Sequence, residues 1–381
     1  ISLVSLMGAV LNAHDRFAAA AASPIVLNMV LITAILGWGL FAKTPAHGLA
    51  WGVAAGGIFQ FIWLGFALGR DGIFLHLRMP RLTPEVKKLL RLMLPVALGA
   101  GVYQINILVD LVIGSLLPSG TISFLYYADR VNQLPLGVVG IAVATALLPL
   151  LARQIRAGNE AEALASQNRA VEFAMALTIP AAFALVAAAQ PIIIVLFGRG
   201  AFNEAAQTAT GWTLAAYALG LPAYVLVKIL STGYFAREDT KTPVKVAVIA
   251  LCINVVLNLV LMGPLAHVGI AIATSVSAWV NCALLAMGLR KNGRFRPDRQ
   301  LRRSLPRVLA ASVAMAAVVW GVSLAIGDML TGSETVRFAM LGAIVICGAV
   351  LYGALAHLSG VVSIADFRHA FGRNTDADKV E

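Results

Sequence analysis

Thr121 to Leu151 reads TISFLYYADRVNQLPLGVVGIAVATALLPLL. It holds a single acid, Asp129, and a single base, Arg130, in a run well beyond the ~20 residues a helix needs to cross the hydrocarbon core. Its apolar residues lack the strict alternation of a barrel strand, so the segment reads as a membrane helix. Pro135, Gly137 and Gly140 lie in its interior, where they predict a kink whose freed backbone groups line a cavity.

Similar runs fill the chain on both sides, at 24–42, 48–69, 89–117, 170–197, 206–235, 242–263, 267–289, 306–326 and 337–359, with a partial run at 1–13. With 121–151 that makes eleven expected spans and an all-α polytopic membrane protein. The composition agrees. The 381 residues are 60% hydrophobic and 12% charged, against about 45–50% and about 25% in soluble domains. The mean hydropathy of +0.85 leaves too little polar surface for a cytosolic enzyme, a secreted disulfide scaffold or a disordered chain.

The formal charge of +11 follows from topology. Alternate loops and the tail carry 24 of the 29 Lys and Arg, the opposite loops carry Lys43, Arg199 and Arg337, and Arg130 and Lys228 fall within spans. This asymmetry is the positive-inside pattern, and it predicts a cytoplasmic C-terminus. The basic linker from Arg290 to Arg307 fits the same topology beside anionic headgroups, so no nucleic-acid partner is expected. Ile1 lies within an apolar run, which is the expectation for a chain whose N-terminal part lies upstream.

Charges at membrane depth face a cavity or a partner. Arg130 sits about a third of the way into its span, and a guanidinium donates two parallel hydrogen bonds to a phosphate. The other reading is an arginine neutralised by Asp129 or snorkelling outward, although adjacent helix residues point about 100° apart. Lys228 lies near the cytoplasmic end of its span, where snorkelling and ligand binding explain it equally. Asp110 is the lone acid of the 89–117 span, and Asn254 and Asn258 share a helix face. With Thr274 these oxygens suit a small hard cation, and interhelical hydrogen bonding explains them as well. Tyr103, Gln104 and Asn106 are also polar at depth. Cys252, Cys282 and Cys347 read as apolar fillers. No zinc spacing, P-loop, nucleophile with a base, or Rossmann pattern is present, so no ATP-driven pump and no resident cofactor are expected.

Tyr126 to Leu151 resembles the hallmark helix of the MurJ (MviN) lipid II flippases, and Lys228 to Lys245, KILSTGYFAREDTKTPVK, is similar to a second family motif. Asn258 to Gly269, NLVLMGPLAHVG, and Leu11 to Phe17, LNAHDRF, fit as well. The resemblance implies a fourteen-helix, MATE-like two-lobed bundle of the multidrug/oligosaccharidyl-lipid/polysaccharide exporter superfamily. Two six-helix lobes enclose a cationic cavity, and about eleven of the fourteen helices are present here. Residues 1–84 would be the remainder of the N-terminal lobe with three spans, and 85–292 the C-terminal six-helix lobe. Residues 293–360 would be two extra helices forming a polyprenyl-tail groove, and 361–381 a cytoplasmic tail.

The implied activity is movement of lipid II from the cytoplasmic to the periplasmic leaflet of the bacterial inner membrane by alternating access, for peptidoglycan assembly. The implied partners are lipid II, membrane lipids and proteins of cell-wall synthesis. Arg130 would face the cavity, with Asp129, Gln133 and Lys228 beside the substrate; some members carry an acid at the Gln133 position. Some members bind sodium through residues matching Asp110, Asn254, Asn258 and Thr274, and Ile270 fits as a backbone carbonyl ligand. A polysaccharide-lipid flippase of the O-antigen type, a cation-coupled multidrug exporter and a non-transporting scaffold are the alternatives.

Overall fold

The computed structural model describes residues 2–14, 16–38, 44–73, 83–325 and 332–360, and only the backbone of Phe17, Glu85, 88–100 and Tyr103. The expected tail at 361–381 lies outside the described residues. Every regular element among them is helical. The chain divides into two compact units, Ile1–Val86 and Lys87–Glu381.

The first unit holds α1 (Ser2–Ala13), α2 (Phe17–Leu36) and α3 (Pro45–Arg70). Gly48, Gly52 and Gly56 recur at four-residue spacing along α3 and form the stripe that meets α2. A methyl group at Gly52 would come within 2.7 Å of Ala34 Cβ. Small residues permit this approach, which takes the place of the hydrophobic effect as the glue between membrane helices. Gln60 and Trp63 continue the seam, donating to the Ser23 and Ala19 carbonyls at 3.0 Å each.

The second unit begins within α4 (Pro84–Ser115). Next come α5 (Thr121–Pro135), a π-helical turn (Leu136–Ile141) and α6 (Ala142–Arg156), which together form one bent rod. Pro135 has no N–H for the Val131 carbonyl, so the regular ladder fails there and the wide turn follows. The kink expected from Pro135, Gly137 and Gly140 is this turn. The 170–197 run is two helices, α7 (Glu160–Ala187) and α8 (Ala189–Phe197), and the 206–235 run is α9 (Glu204–Ala218) and α10 (Leu221–Phe235). At the second break, Pro222 cannot donate to the Ala218 carbonyl. There the Gly220 N–H turns to Tyr217, and Ser275 Oγ donates to the Ala216 carbonyl at 2.7 Å. Trp279 Nε1 donates to the Leu219 carbonyl at 2.9 Å.

The 51-residue α11 (Lys241–Lys291) is a hairpin of two helices. Asn254 Nδ2 lies 3.2 Å from Thr274 Oγ1, whereas a 20-residue separation along a straight helix is about 30 Å. The reversal falls at Ala266, with φ 47°, two residues after Pro264. The expected spans at 242–263 and 267–289 are its two arms.

Finally α12 (Arg299–Ala325) packs along α7, and α13 (Glu334–Leu358) packs on α12 and α8. Tyr352 Oη donates to the Ala176 carbonyl at 2.6 Å. That carbonyl is the one Pro180 leaves without its helical N–H donor. Arg169 pairs with both Glu172 and Asp298, and Asn168 Nδ2 donates to the Arg296 carbonyl at 2.9 Å, fastening the linker before α12 to α7. Burial pushes the Asp298 carboxyl up. The Leu301 and Gln300 N–H groups and the Arg169 guanidinium outweigh burial and hold it below the usual carboxylate range.

Eight helices or helix pairs among the described residues are long and apolar enough to cross a membrane. The eleven expected runs differ from these because α11 holds two arms, α1 is short, and only the 104–115 part of α4 is described in full.

Candidate functional site

Two groups of polar side chains lie within the spans of the second unit. The first surrounds Asp110 on α4. Asn258 Nδ2 donates to Asp110 Oδ1 at 2.6 Å, and Asn106 Nδ2 donates to Oδ2 at 3.2 Å. Asn258 Nδ2 also donates to Asn254 Oδ1 at 3.0 Å, and Asn254 Nδ2 donates to Thr274 Oγ1. The Thr274 hydroxyl faces the Ile270 carbonyl at 2.9 Å and Asp110 Oδ2 at 3.4 Å, and its one proton serves one of them at a time. The α11 hairpin produces this convergence: it folds the Asn254 and Asn258 face of one arm onto Ile270 and Thr274 of the other. All five residues singled out in the sequence therefore meet. Asn106, noted there only as polar at depth, joins them one turn before Asp110.

The oxygens of this cluster fit a small hard cation. Asn254 and Asn258 are fully buried, and Asn258 Oδ1 has no hydrogen-bond partner. An orphaned buried carbonyl oxygen is costly unless something positive meets it. One carboxylate among neutral amide, hydroxyl and backbone oxygens suits a monovalent hard ion better than a transition metal. Among the described residues no group of three or more His, Cys, Asp or Glu side chains is placed to hold a metal.

The second group lies on α5. Leu125, Ala128, Val131 and Asn132 are buried, and α5 packs against α9. Tyr126, Arg130, Leu134 and Val138 follow one another at four-residue spacing on the open side. Arg130 is exposed on that stripe rather than buried within the unit, because α9 occupies the other face. Asp129 and Arg130 make no ion pair; Gln133 joins them instead. Its Nε2 donates to Asp129 Oδ2, and its Oε1 accepts from Arg130 Nη1 at 3.4 Å. The Arg130 guanidinium carbon lies 4.8 Å from the centre of the Tyr126 ring. Lys228 does not join this group. Its stem passes the π-helical turn, where a methyl group at Gly140 would lie 3.3 Å from Lys228 Cδ. Ten residues separate Gly140 from Arg130, a rise of about 15 Å on a straight α-helix. The smallness of Gly140 gives the Lys228 stem its room, a role that the glycine's expected part in the kink did not reveal.

A helical bundle with many spans, a carboxylate held among amides at membrane depth, and a guanidinium on an open helix face has the makings of a membrane transporter. The profile of the family described as "Lipid II flippase MurJ" matches residues 1–339. The probable lipid II flippase MurJ of Rhizobium meliloti (strain 1021) is 42% identical over 390 residues, covering 100% of this chain and 72% of that protein. The protein of the same description from Haemophilus influenzae is 36% identical over 367 residues, covering 95% of this chain and 72% of the relative. The solved structure titled "Lipid II flippase MurJ, inward closed conformation" superposes with a TM-score of 0.73 at 23% identity, over 97% of this chain and 72% of that one, and so shares the fold. The chain belongs to the MurJ lipid II flippase family, and it is a multi-pass membrane protein.

Proposed function

We propose that this chain moves lipid II across the bacterial inner membrane, from the cytoplasmic to the periplasmic leaflet, for peptidoglycan assembly. The observation that carries the reading is the family match over residues 1–339 together with Arg130 on the open face of α5. Arg130 binds the diphosphate, because a guanidinium offers it paired, charge-assisted hydrogen bonds. Asp129 and Gln133 hold the guanidinium from one side, and Lys228 meets the anionic headgroup nearer the cytoplasm. The helix pair at 293–360 accepts the polyprenyl tail, and the C-terminus is cytoplasmic, as the basic loops favour. The lobes alternate their access around the headgroup, as in other repeat-built transporters.

Asp110, Asn254, Asn258, Thr274 and the Ile270 carbonyl would hold a sodium ion, which would supply positive charge to the orphaned Asn258 oxygen. Asn258 Nδ2 donates to Asp110 Oδ1 at 2.6 Å and fastens α4 to the α11 hairpin.

The test is complementation. In cells depleted of their own lipid II flippase, Arg130→Glu abolishes rescue and lipid II accumulates in the inner leaflet. Full rescue by Arg130→Glu removes the diphosphate assignment. Rescue with accumulation of another isoprenoid-linked glycan on depletion reassigns the cargo.

A further inference from the structure

The Arg130 guanidinium is exposed, yet two neighbours on its own helix restrict it. Tyr126, one turn before it, presents its ring 4.8 Å from the guanidinium carbon, and Gln133 accepts from Nη1. Tyr126 is 54% exposed on the same open stripe, so apolar burial in the bundle does not explain its position. Tyr127 stands edge-on to Tyr126, with ring centres 5.8 Å apart. The Tyr127 ring is in turn held between Phe197 at 4.7 Å and Phe202 at 5.5 Å, from the end of α8 and the turn before α9. An otherwise free aromatic ring is thus anchored through its neighbour to two other elements.

From this geometry we infer that Tyr126 is a positioning residue for Arg130: its ring face orients the guanidinium so that the donors not used by Gln133 point to an incoming diphosphate. The inference rests on the proposed diphosphate-binding role of Arg130. An arginine in a membrane span has a strong tendency to snorkel toward water or headgroups. A ring face attracts a cation through its quadrupole, and the attraction grows where water is sparse. A guanidinium stacked on a ring keeps its in-plane N–H groups free, so stacking and bidentate phosphate recognition are compatible. The ring restricts the arginine before the ligand arrives, and less ordering then remains to be done on binding. The hydroxyl of Tyr126 has no part in this; the π face alone is required.

The experiment measures binding of undecaprenyl diphosphate and of lipid II to the full chain in lipid nanodiscs. It compares wild type, Tyr126→Phe, Tyr126→Leu, Arg130→Ala and the Tyr126→Leu/Arg130→Ala double variant. Tyr126→Phe retains wild-type affinity within about twofold, and Tyr126→Leu weakens both ligands about fivefold, the scale of a partly exposed cation–π contact. In the Arg130→Ala background, Tyr126→Leu has no further effect. Additive losses in the double variant overturn the inference, because Tyr126 would then act independently of Arg130. A loss in Tyr126→Phe equal to that in Tyr126→Leu overturns it too, because the hydroxyl would be the active group. If Arg130→Ala itself binds both ligands normally, the diphosphate-binding role fails and the inference falls with it, a result distinct from the other two. Tyr126 lies outside the packed face of α5, and recovery by Phe distinguishes lost positioning from lost folding.

Discussion

The Gln133 amide stands between Asp129 and Arg130, donating through Nε2 to the carboxylate and accepting through Oε1 from the guanidinium at 3.4 Å. An amide serves both neighbours at once because it carries a donor and an acceptor on separate atoms. Gln133→Leu removes both contacts, and lipid II translocation in proteoliposomes slows at least threefold. Gln133→Glu keeps the acceptor for Arg130 and loses the donor to Asp129, so it transports faster than Gln133→Leu. Equal rates for the two variants would show that the acceptor is irrelevant.

Sodium is expected to stabilise the Asp110 cluster. Replacing choline chloride by sodium chloride at equal ionic strength raises Tm in detergent, and the stabilisation grows as the logarithm of one plus the ratio of sodium concentration to Kd. Asp110→Asn and Asn258→Leu each abolish the rise. Asn258→Leu is the sharper variant, since it removes the oxygen that lacks a protein partner. An unchanged sodium response in that variant would place the ion elsewhere.

The bond from Tyr352 to the Ala176 carbonyl is worth about 1 kcal/mol, near the middle of the range for interhelical hydrogen bonds in membranes. Tyr352→Phe lowers stability by that amount. Pro180→Ala restores the helical donor to the same carbonyl, so Tyr352→Phe costs less in that background. Denaturation of the four proteins in mixed micelles measures the coupling, and strict additivity would refute it.

Asp298 adds an acid limit. Its carboxyl titrates below the usual range in the folded protein, so it binds a proton less readily there than in the unfolded chain. Its contribution is fully present above the unfolded value of about 4 and is lost as pH falls through the lower folded value. Both Asp298 and Arg169 are over a third exposed, so solvent screens the pair and the effect is modest. Asp298→Asn lowers Tm slightly at pH 7 and flattens the decline below pH 4. A variant that declines as steeply as wild type would exclude this carboxylate as the source.

The α11 hairpin should tolerate no side chain at Gly269, where a methyl group would come within 2.4 Å of the Leu261 backbone oxygen. Gly263→Ala meets nothing within 4 Å. Gly269→Ala therefore reduces folded yield in size-exclusion chromatography, and Gly263→Ala does not. Normal yield from Gly269→Ala would mean that the hairpin can open.

The spans were legible because twenty apolar residues have few other uses, and the basic loops recorded their alternation. The Asp110 cluster was half legible: composition marked its members as polar at depth, but only the reversal at Ala266 brings residues 254 and 274 together. The part of Asn106 depended on the rotation of α4, which a short list of polar residues does not fix. The breaks at Ala188 and Gly220 were missed because hydropathy does not register a lost hydrogen bond inside an apolar run. The sequence left Arg130 either facing a cavity or snorkelling, because which side of α5 meets α9 depends on the small and branched residues of both helices.

The Ala176 carbonyl that Pro180 leaves without a helical donor also bears on biogenesis. Tyr352 lies 176 residues downstream of Ala176, and translation at about 5–20 residues per second delivers it roughly 9 to 35 s later. Until then the Ala176 carbonyl of α7 lacks both its helical donor and the Tyr352 hydroxyl. Placement of α13 supplies the missing donor, so an early helix is finished only after a much later one is in position.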